Sequence, residues 1–267
     1  MKDMKKHWQS VWLKIKKAKN LLVLSDFDGT LSRIVKHPGL ARADGKAVSS
    51  IALLSGLKGV TTGIISGRPL KDVKRLVKIK GIFYVGNHGF ELEYIDKKGG
   101  IKLFIHPEIK KTLPLIKKIA DRLRRDLRGI KGVLVENKVY SLSLHYRMTA
   151  NEDVKTLKKK FWAAVKEYRD EERIKVTRGK MVFEVRPPAA WNKGSAVLKI
   201  KRIIEKDDLL TIYLGDDKTD EDVFKILEKK DIGVLIGRRK KSNAAYRIKD
   251  VRGVAEFLSN VYQLRVN

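Results

Sequence analysis

Apolar residues recur in two rhythms along this chain. From residue 20, the runs NLLVLSD, GVTTGIISG and GIFYVGN are short and nearly continuous, closed by an acid, a glycine or an asparagine, as buried parallel strands are. Between them, KAVSSIALLSGL and PLKDVKRLVKI space their apolar residues by three and four, with Pro69 near the first turn, where a helix tolerates it. The order strand, helix, strand, helix, strand predicts an α/β fold with a doubly wound, Rossmann-like parallel sheet.

Near residue 100 the pattern changes. FELEYIDKKGGIKLFIH reads as two strands around a Lys-Lys-Gly-Gly turn. Helical patterns KTLPLIKKIADRLRRDL and VKTLKKKFWAAVKEYRD then alternate with the strand-like runs KGVLVENK, YSLSLHYR, RIKVTRG and MVFEVRP, which predicts a small α+β domain. From Asn192 the earlier pattern resumes with the helix KGSAVLKIKRIIE, the strand LLTIYLGDD, a further helix and the strand DIGVLIG. The expected organisation is a basic amphipathic helix over 1–19, an α/β core from 20–100 and 188–267, and an inserted α+β cap domain over 101–187.

Composition agrees with a folded chain: 43% of residues are hydrophobic and 34% charged. A length of 267 residues approaches the limit for a single core, so one large domain with a smaller insert is expected. The absence of cysteine excludes disulfides, thiolate metal sites and cysteine nucleophiles, so any metal must take oxygen or histidine ligands. Lysines interrupt every turn of the N-terminal segment, which leaves no signal peptide or membrane span and points to the cytoplasm. Trp8, Val11, Trp12 and Ile15 form an apolar stripe there, suited to docking on the body of the protein. The charge balance is extreme, with 60 Lys+Arg against 31 Asp+Glu and a net charge of +29. The lysines are scattered over the whole chain, and no aromatic-studded groove gathers them, so no specific nucleic-acid partner is expected.

Chemistry concentrates at two strand ends. NLLVLSDFDGT presents Asp26 and Asp28 where an apolar strand opens into a loop, and sites of open α/β sheets form beyond the carboxyl ends of strands. Two carboxylates placed there suit a division of labour between a nucleophile and a proton donor. The second cluster is Gly215-Asp216-Asp217-Lys218-Thr219-Asp220-Glu221-Asp222, in which five carboxylates fall within seven residues. Such crowding is relieved by a hard cation such as Mg²⁺.

The string DFDGT resembles the first motif of the haloacid-dehalogenase phosphatase superfamily, and three later strings resemble the motifs that follow it. Ile64-Ile65-Ser66-Gly67-Arg68 fits the second, Trp191-Asn192-Lys193-Gly194 the third, and the acidic cluster the fourth. The resemblance implies catalytic roles for Asp26 as nucleophile, Asp28 as acid and base, Ser66 as a hydrogen-bond donor to the phosphoryl group, and Lys193 as its counter-charge. It also implies Mg²⁺ held by the Asp26 side chain, the Asp28 carbonyl and the Asp216 side chain, with Asp217 or Asp220 in support.

Within that superfamily, the strings Gly86-Asn87-His88-Gly89-Phe90-Glu91, Glu136-Asn137-Lys138, Ser143-Leu144-His145-Tyr146-Arg147 and Gly179-Lys180-Met181-Val182-Phe183-Glu184-Val185-Arg186-Pro187 look like the trehalose-6-phosphate phosphatases, from about residue 20 to about residue 260. Arg33 stands where that pattern has proline. The implied substrate is trehalose 6-phosphate, with Lys138, Lys180 and Glu184, and behind them His88, Glu91 and Arg186, as sugar-binding residues. A trehalose-phosphate synthase that feeds the enzyme is an open partner. Sucrose 6-phosphate or glucosylglycerol phosphate remains an alternative substrate, and a polyanion- or membrane-binding module on an idle phosphatase fold is the reading from another class.

Overall fold

The computed structural model describes residues 1–239 and 241–266. Its elements are, in chain order, β1 (Lys2–Asp3), α1 (Trp8–Lys17), β2 (Asn20–Asp26), α2 (Gly45–Ser55), β3 (Val60–Ile65), α3 (Leu70–Val77), β4 (Phe83–Gly86), β5 (Glu91–Ile95) and β6 (Ile101–Ile105), then α4 (Glu108–Asp126), β7 (Leu134–Asn137), β8 (Leu142–His145), α5 (Asn151–Asp170), β9 (Lys175–Gly179) and β10 (Val182–Arg186), and last α6 (Lys193–Ile204), β11 (Leu209–Gly215), α7 (Glu221–Phe224), β12 (Ile232–Ile236), β13 (Tyr246–Ile248) and α8 (Val251–Val266). The chain divides into two units, Met1–Phe104 with Trp191–Asn267, and Ile105–Ala190.

The first unit is an α/β sandwich on a sheet ordered β1-β13-β12-β11-β2-β3-β4-β5-β6. From β1 to β4 every neighbouring pair is parallel, and β5 runs antiparallel to β4. Because side chains alternate across a strand, β2 sends Leu21 and Val23 to one face and Leu22 and Leu24 to the other. The first pair packs with Val11 and Ile15 of α1, Ile51 and Leu54 of α2, Val73 of α3 and Leu258 of α8. The second pair packs with Val197 and Ile200 of α6 and Phe224 of α7. Each such side chain, once buried, contributes roughly 1.5–3 kcal/mol. Helices on both faces make β2 fully internal, which explains its unbroken apolar run. The N-terminal helix docks as its stripe suggests, with Trp8 edge-on to Phe257 of α8 at 5.8 Å, although Trp12 stays exposed.

The hairpin of β5 and β6 lengthens this sheet, so the core extends to Phe104, a few residues beyond the change of pattern in the sequence. Phe104 packs against Trp191 with ring centroids 5.7 Å apart, at the point where the chain re-enters the core.

The second unit is an antiparallel sheet ordered β7-β8-β10-β9 with α4 and α5 on one face. Leu142, Leu144, Phe183 and Val185 face Ile119 and Leu123 of α4 and Phe161 and Val165 of α5. Phe161 stacks on Phe183 at 4.3 Å. On the other face, the register places Glu136 opposite Ser143, Ser143 opposite Glu184, and Glu184 opposite Thr177, a polar row across all four strands.

Candidate active site

Three neighbouring parallel strands deliver the acidic and hydroxyl residues to one end of the core sheet. Asp26 closes β2 beside Ile65 of β3, so Ser66 follows at the adjacent strand end. Ser25 of β2 lies beside Leu214 of β11, so Gly215 and Asp216 follow on its other side. Lys193 is the first residue of α6, whose start is fixed by Asn192 accepting a hydrogen bond from the Ser195 N–H at 3.0 Å. The Lys193 ammonium, buried with the rest of its side chain, donates to Asp26 Oδ1 at 2.7 Å and to Asp220 Oδ1 at 2.8 Å.

Asp220 is the keystone of the acidic loop. Its Oδ1 also accepts from the Tyr213 hydroxyl at 2.6 Å, and its Oδ2 accepts from the N–H groups of Asp216 and Asp217 at 2.9 and 3.0 Å. Asp217 turns back on its own loop, where Oδ1 accepts from the Thr219 N–H and hydroxyl, both at 2.7 Å. Asp216 is different. Its Oδ1 is buried and has no hydrogen-bond partner among the described residues. Gly29, with φ +85°, brings the loop after β2 against the Asp216 carboxylate, in a space that a Cβ would occupy. Carboxylate oxygens of Asp26, Asp216 and Asp220 lie within 4.8 Å of one another.

The electrostatics follow from burial and crowding. Burial, with Asp220 and Asp217 nearby, pushes the Asp216 carboxyl up to about 8 against an ordinary 3.8. Burial likewise raises Asp26, opposed by Lys193 and reinforced by Asp220. Burial also raises Asp220, again against Lys193. Asp217 is the exception: burial works against its ionisation, yet Lys193 and the Thr219 hydrogen bonds hold it down to about 2. For Lys193 burial favours the neutral amine, but Asp220 and Asp26 outweigh it and raise the ammonium well above its usual range. One cation thus faces several carboxylates, and a protein of net charge +29 has gathered negative charge here. The orphaned Asp216 oxygen, the space kept open by Gly29 and the oxygen-only donor set all fit a hard divalent cation.

Around this centre, Asp28 forms a bidentate pair with Arg68, Nε and Nη2 each donating at 2.7 Å. Ser66 is fully buried, and its hydroxyl accepts from the Arg68 N–H at 3.1 Å. His88 is buried in the left-handed region at φ +57°, its N–H donating to the Ser66 carbonyl, and its ring fills the space beside Gly67. Glu91 works inside the core unit, where Oε2 accepts from the Asn87 side chain at 2.6 Å and from the Leu70 N–H at 3.1 Å, capping α3.

The remaining candidates lie in the second unit. Glu184 reaches Lys138 at 3.3 Å and Arg186 at 3.7 Å on the polar face of the sheet. His145 pairs there with Glu136 at 2.8 Å. Lys180 is exposed in the two-residue turn between β9 and β10, ahead of Met181 at φ +60°.

A family model described as trehalose-phosphatase matches residues 24–252, from the end of β2 into α8. The chain belongs to the trehalose-phosphatase family. It is 32% identical over 261 residues to a protein of Arabidopsis thaliana named probable trehalose-phosphate phosphatase D, covering 92% of this chain and 68% of that one. In structure it is similar to the C-terminal domain of Candida albicans trehalose-6-phosphate phosphatase, at a TM-score of 0.79 and 23% identity, over 96% of each chain. It also shares the fold of a haloacid dehalogenase-like hydrolase from Bacteroides thetaiotaomicron, at a TM-score of 0.62 and 15% identity, over 91% of this chain and 100% of that one. This is therefore a phosphatase on the haloacid-dehalogenase fold.

The sequence alone points to no role for Tyr213 or Arg68, and to only a supporting one for Asp220. A hydroxyl in the otherwise apolar run LLTIYL was the available signal for Tyr213, because a buried phenol needs a partner. Arg68 had none beyond its place two residues after Ser66.

Proposed function

We propose that this chain hydrolyses trehalose 6-phosphate to trehalose and inorganic phosphate through an aspartyl-phosphate on Asp26, with Mg²⁺ as cofactor. The observation that carries this reading is the buried contact of Lys193 with Asp26, 2.7 Å long, beside an Asp216 oxygen without a partner. A carboxylate kept dry and oriented by one ammonium is equipped to attack an electrophile, and the orphaned oxygen marks where further positive charge belongs.

In the first half of the reaction, an Asp26 oxygen bonds to phosphorus as the bond from phosphorus to the sugar oxygen breaks. Asp28 gives its proton to that leaving oxygen. In the second half, Asp28 takes a proton from water as the water oxygen bonds to phosphorus, and phosphate departs from Asp26. Lys193 offsets charge on the phosphoryl oxygens, and the Ser66 hydroxyl donates to them. Asp26, the Asp28 carbonyl and Asp216 would hold Mg²⁺, which supplies Lewis-acid stabilisation of phosphoryl charge. Asp217 and Asp220 support it by fixing the loop that carries Asp216.

Recognition of the sugar is assigned to Lys138, Lys180 and Glu184, with His88, Glu91 and Arg186 behind them. A disaccharide offers many hydroxyls and no charge, so it needs side chains that both donate and accept. The polar face of the inserted sheet supplies such groups, and the relatives' names specify the trehalose ester. Phosphate release from trehalose 6-phosphate, sucrose 6-phosphate and glucosylglycerol phosphate, each with and without Mg²⁺, tests the reading. Strong preference for the trehalose ester is expected; equal turnover of all three contradicts the substrate, and turnover unaffected by chelation contradicts the cofactor.

A further inference from the structure

Arg68 leaves β3 two residues after Ser66, and its guanidinium is pinned on three sides. Nη1 donates to the Pro38 carbonyl at 3.0 Å, the guanidinium carbon lies 5.4 Å from the centroid of the buried Phe27 ring, and Nε and Nη2 grip the two oxygens of Asp28 at 2.7 Å each. The Arg68 side chain is 12% exposed, whereas that of Asp28 is 42% exposed. Asp26 is held by Lys193, and Asp220 by an ammonium, a phenol and two backbone N–H groups. For the Asp28 carboxylate the Arg68 fork is the only hydrogen-bond partner among the described residues. The direction of its carboxyl therefore depends on one side chain.

We propose that Arg68 is a positioning residue for proton transfer, setting the orientation of Asp28 so that its carboxyl meets the departing sugar oxygen and, afterwards, the attacking water. The proposal rests on the reading of Asp28 as acid and base. A planar fork can fix both the plane and the rotamer of a carboxylate, which an ammonium cannot. When Asp28 carries the proton, one arm of the fork must let go, since a protonated carboxyl presents a donor at that oxygen. The Pro38 carbonyl and the Phe27 ring keep the guanidinium in place meanwhile, ready to take up the carboxylate again once the proton has passed to the leaving oxygen. Small errors in placing such a group cost large factors in rate.

The test compares leaving groups. Release of the alcohol in the first turnover is measured by rapid quench for trehalose 6-phosphate and for p-nitrophenyl phosphate, whose nitrophenolate departs without needing a proton. The proteins are wild type, Asp28→Asn, Arg68→Lys, Arg68→Gln, and Asp28→Asn combined with Arg68→Lys, with KM recorded alongside. Arg68→Lys is expected to slow trehalose release by about 10–100-fold, a part of the roughly 10²–10⁴-fold that general acid catalysis supplies, while nitrophenolate release changes by less than about threefold and KM stays similar. Arg68→Gln should show the same selectivity, and the double variant should be no worse than Asp28→Asn. Arg68→Lys keeps length and charge, so the test stands even if Arg68→Gln does not fold. Wild-type turnover by Arg68→Lys, equal losses on both esters, a raised KM with the rate retained, or additive losses in the double variant would each overturn the proposal. If Asp28→Asn itself shows no selectivity, the role of Asp28 fails; if Asp28→Asn is selective and Arg68→Lys is not, only the role of Arg68 fails.

Discussion

Asp216 couples folding to pH at a single residue and, under the proposed function, to metal as well. Its carboxyl is held at about 8 in the folded chain against 3.8 ordinarily. Between those values the folded state keeps a proton that the unfolded state has released, so stability from this group declines as pH rises above about 4, and the loss is complete above about 8. With a divalent cation at its carboxylate, Asp216 would give up that proton and the penalty would be removed. The thermal midpoint of the metal-free protein is therefore expected to fall between pH 5 and pH 8, and the increment given by saturating Mg²⁺ to grow over the same window. A constant increment would contradict this account. Lys193 gives a second check. Arg and Lys are not equivalent here, but Lys193→Met keeps the volume and removes the charge, leaving Asp26 and Asp220 buried without their common partner. Unfolding in urea should show a loss of about 3–5 kcal/mol, together with loss of phosphatase activity.

At the scale of elements, the loop leaving β2 makes the tightest demand. Gly29 combines a left-handed φ of +85° with direct apposition to the Asp216 carboxylate. Gly29→Ala is expected to destabilise the fold by about 1–3 kcal/mol and to weaken Mg²⁺ binding, measured by urea midpoints with and without the cation. Unchanged binding would mean that the loop does not shape the site. The strands that carry the site were legible in the sequence, because β2, β3, β4, β11 and β12 are buried on both faces and their apolar runs need no tertiary knowledge. β1 and β13, of two and three residues, are too short to carry a period. α8 does carry one, through Val254, Phe257, Leu258 and Val261, but Gly253 interrupts its first turn and obscures the helix in the sequence. The hairpin of β5 and β6 was recognised as a hairpin, but its allegiance to the core sheet depends on packing such as Phe83 on Tyr94, stacked at 5.4 Å, which no local pattern reveals.

At the scale of the whole molecule, the core unit carries its candidate residues in contiguous strings, and the second unit carries its own on one polar sheet face. Asp26, Ser66, Lys193 and Asp216 stand out as candidates in the sequence because each lies at the end of an apolar run or opens a helix, and the parallel register brings Asp26, Ser66 and Asp216 to neighbouring strand ends. The partnerships were hidden: Asp220 with Tyr213, Asp28 with Arg68 and Glu91 with Asn87 join residues by side-chain packing rather than by spacing. The net charge of +29 is suited to drawing in anionic esters. Under the proposed function, Asp26 is the nucleophile of a Mg²⁺-dependent trehalose 6-phosphate phosphatase. Phosphate release from trehalose 6-phosphate by the wild type and by Asp26→Asn, each with Mg²⁺ and with chelator, tests it most directly. Rapid turnover is expected only from the wild type with Mg²⁺, with Asp26→Asn slower by thousands-fold or about 4–5 kcal/mol of barrier. Comparable release by Asp26→Asn, or by the wild type in chelator, would contradict it.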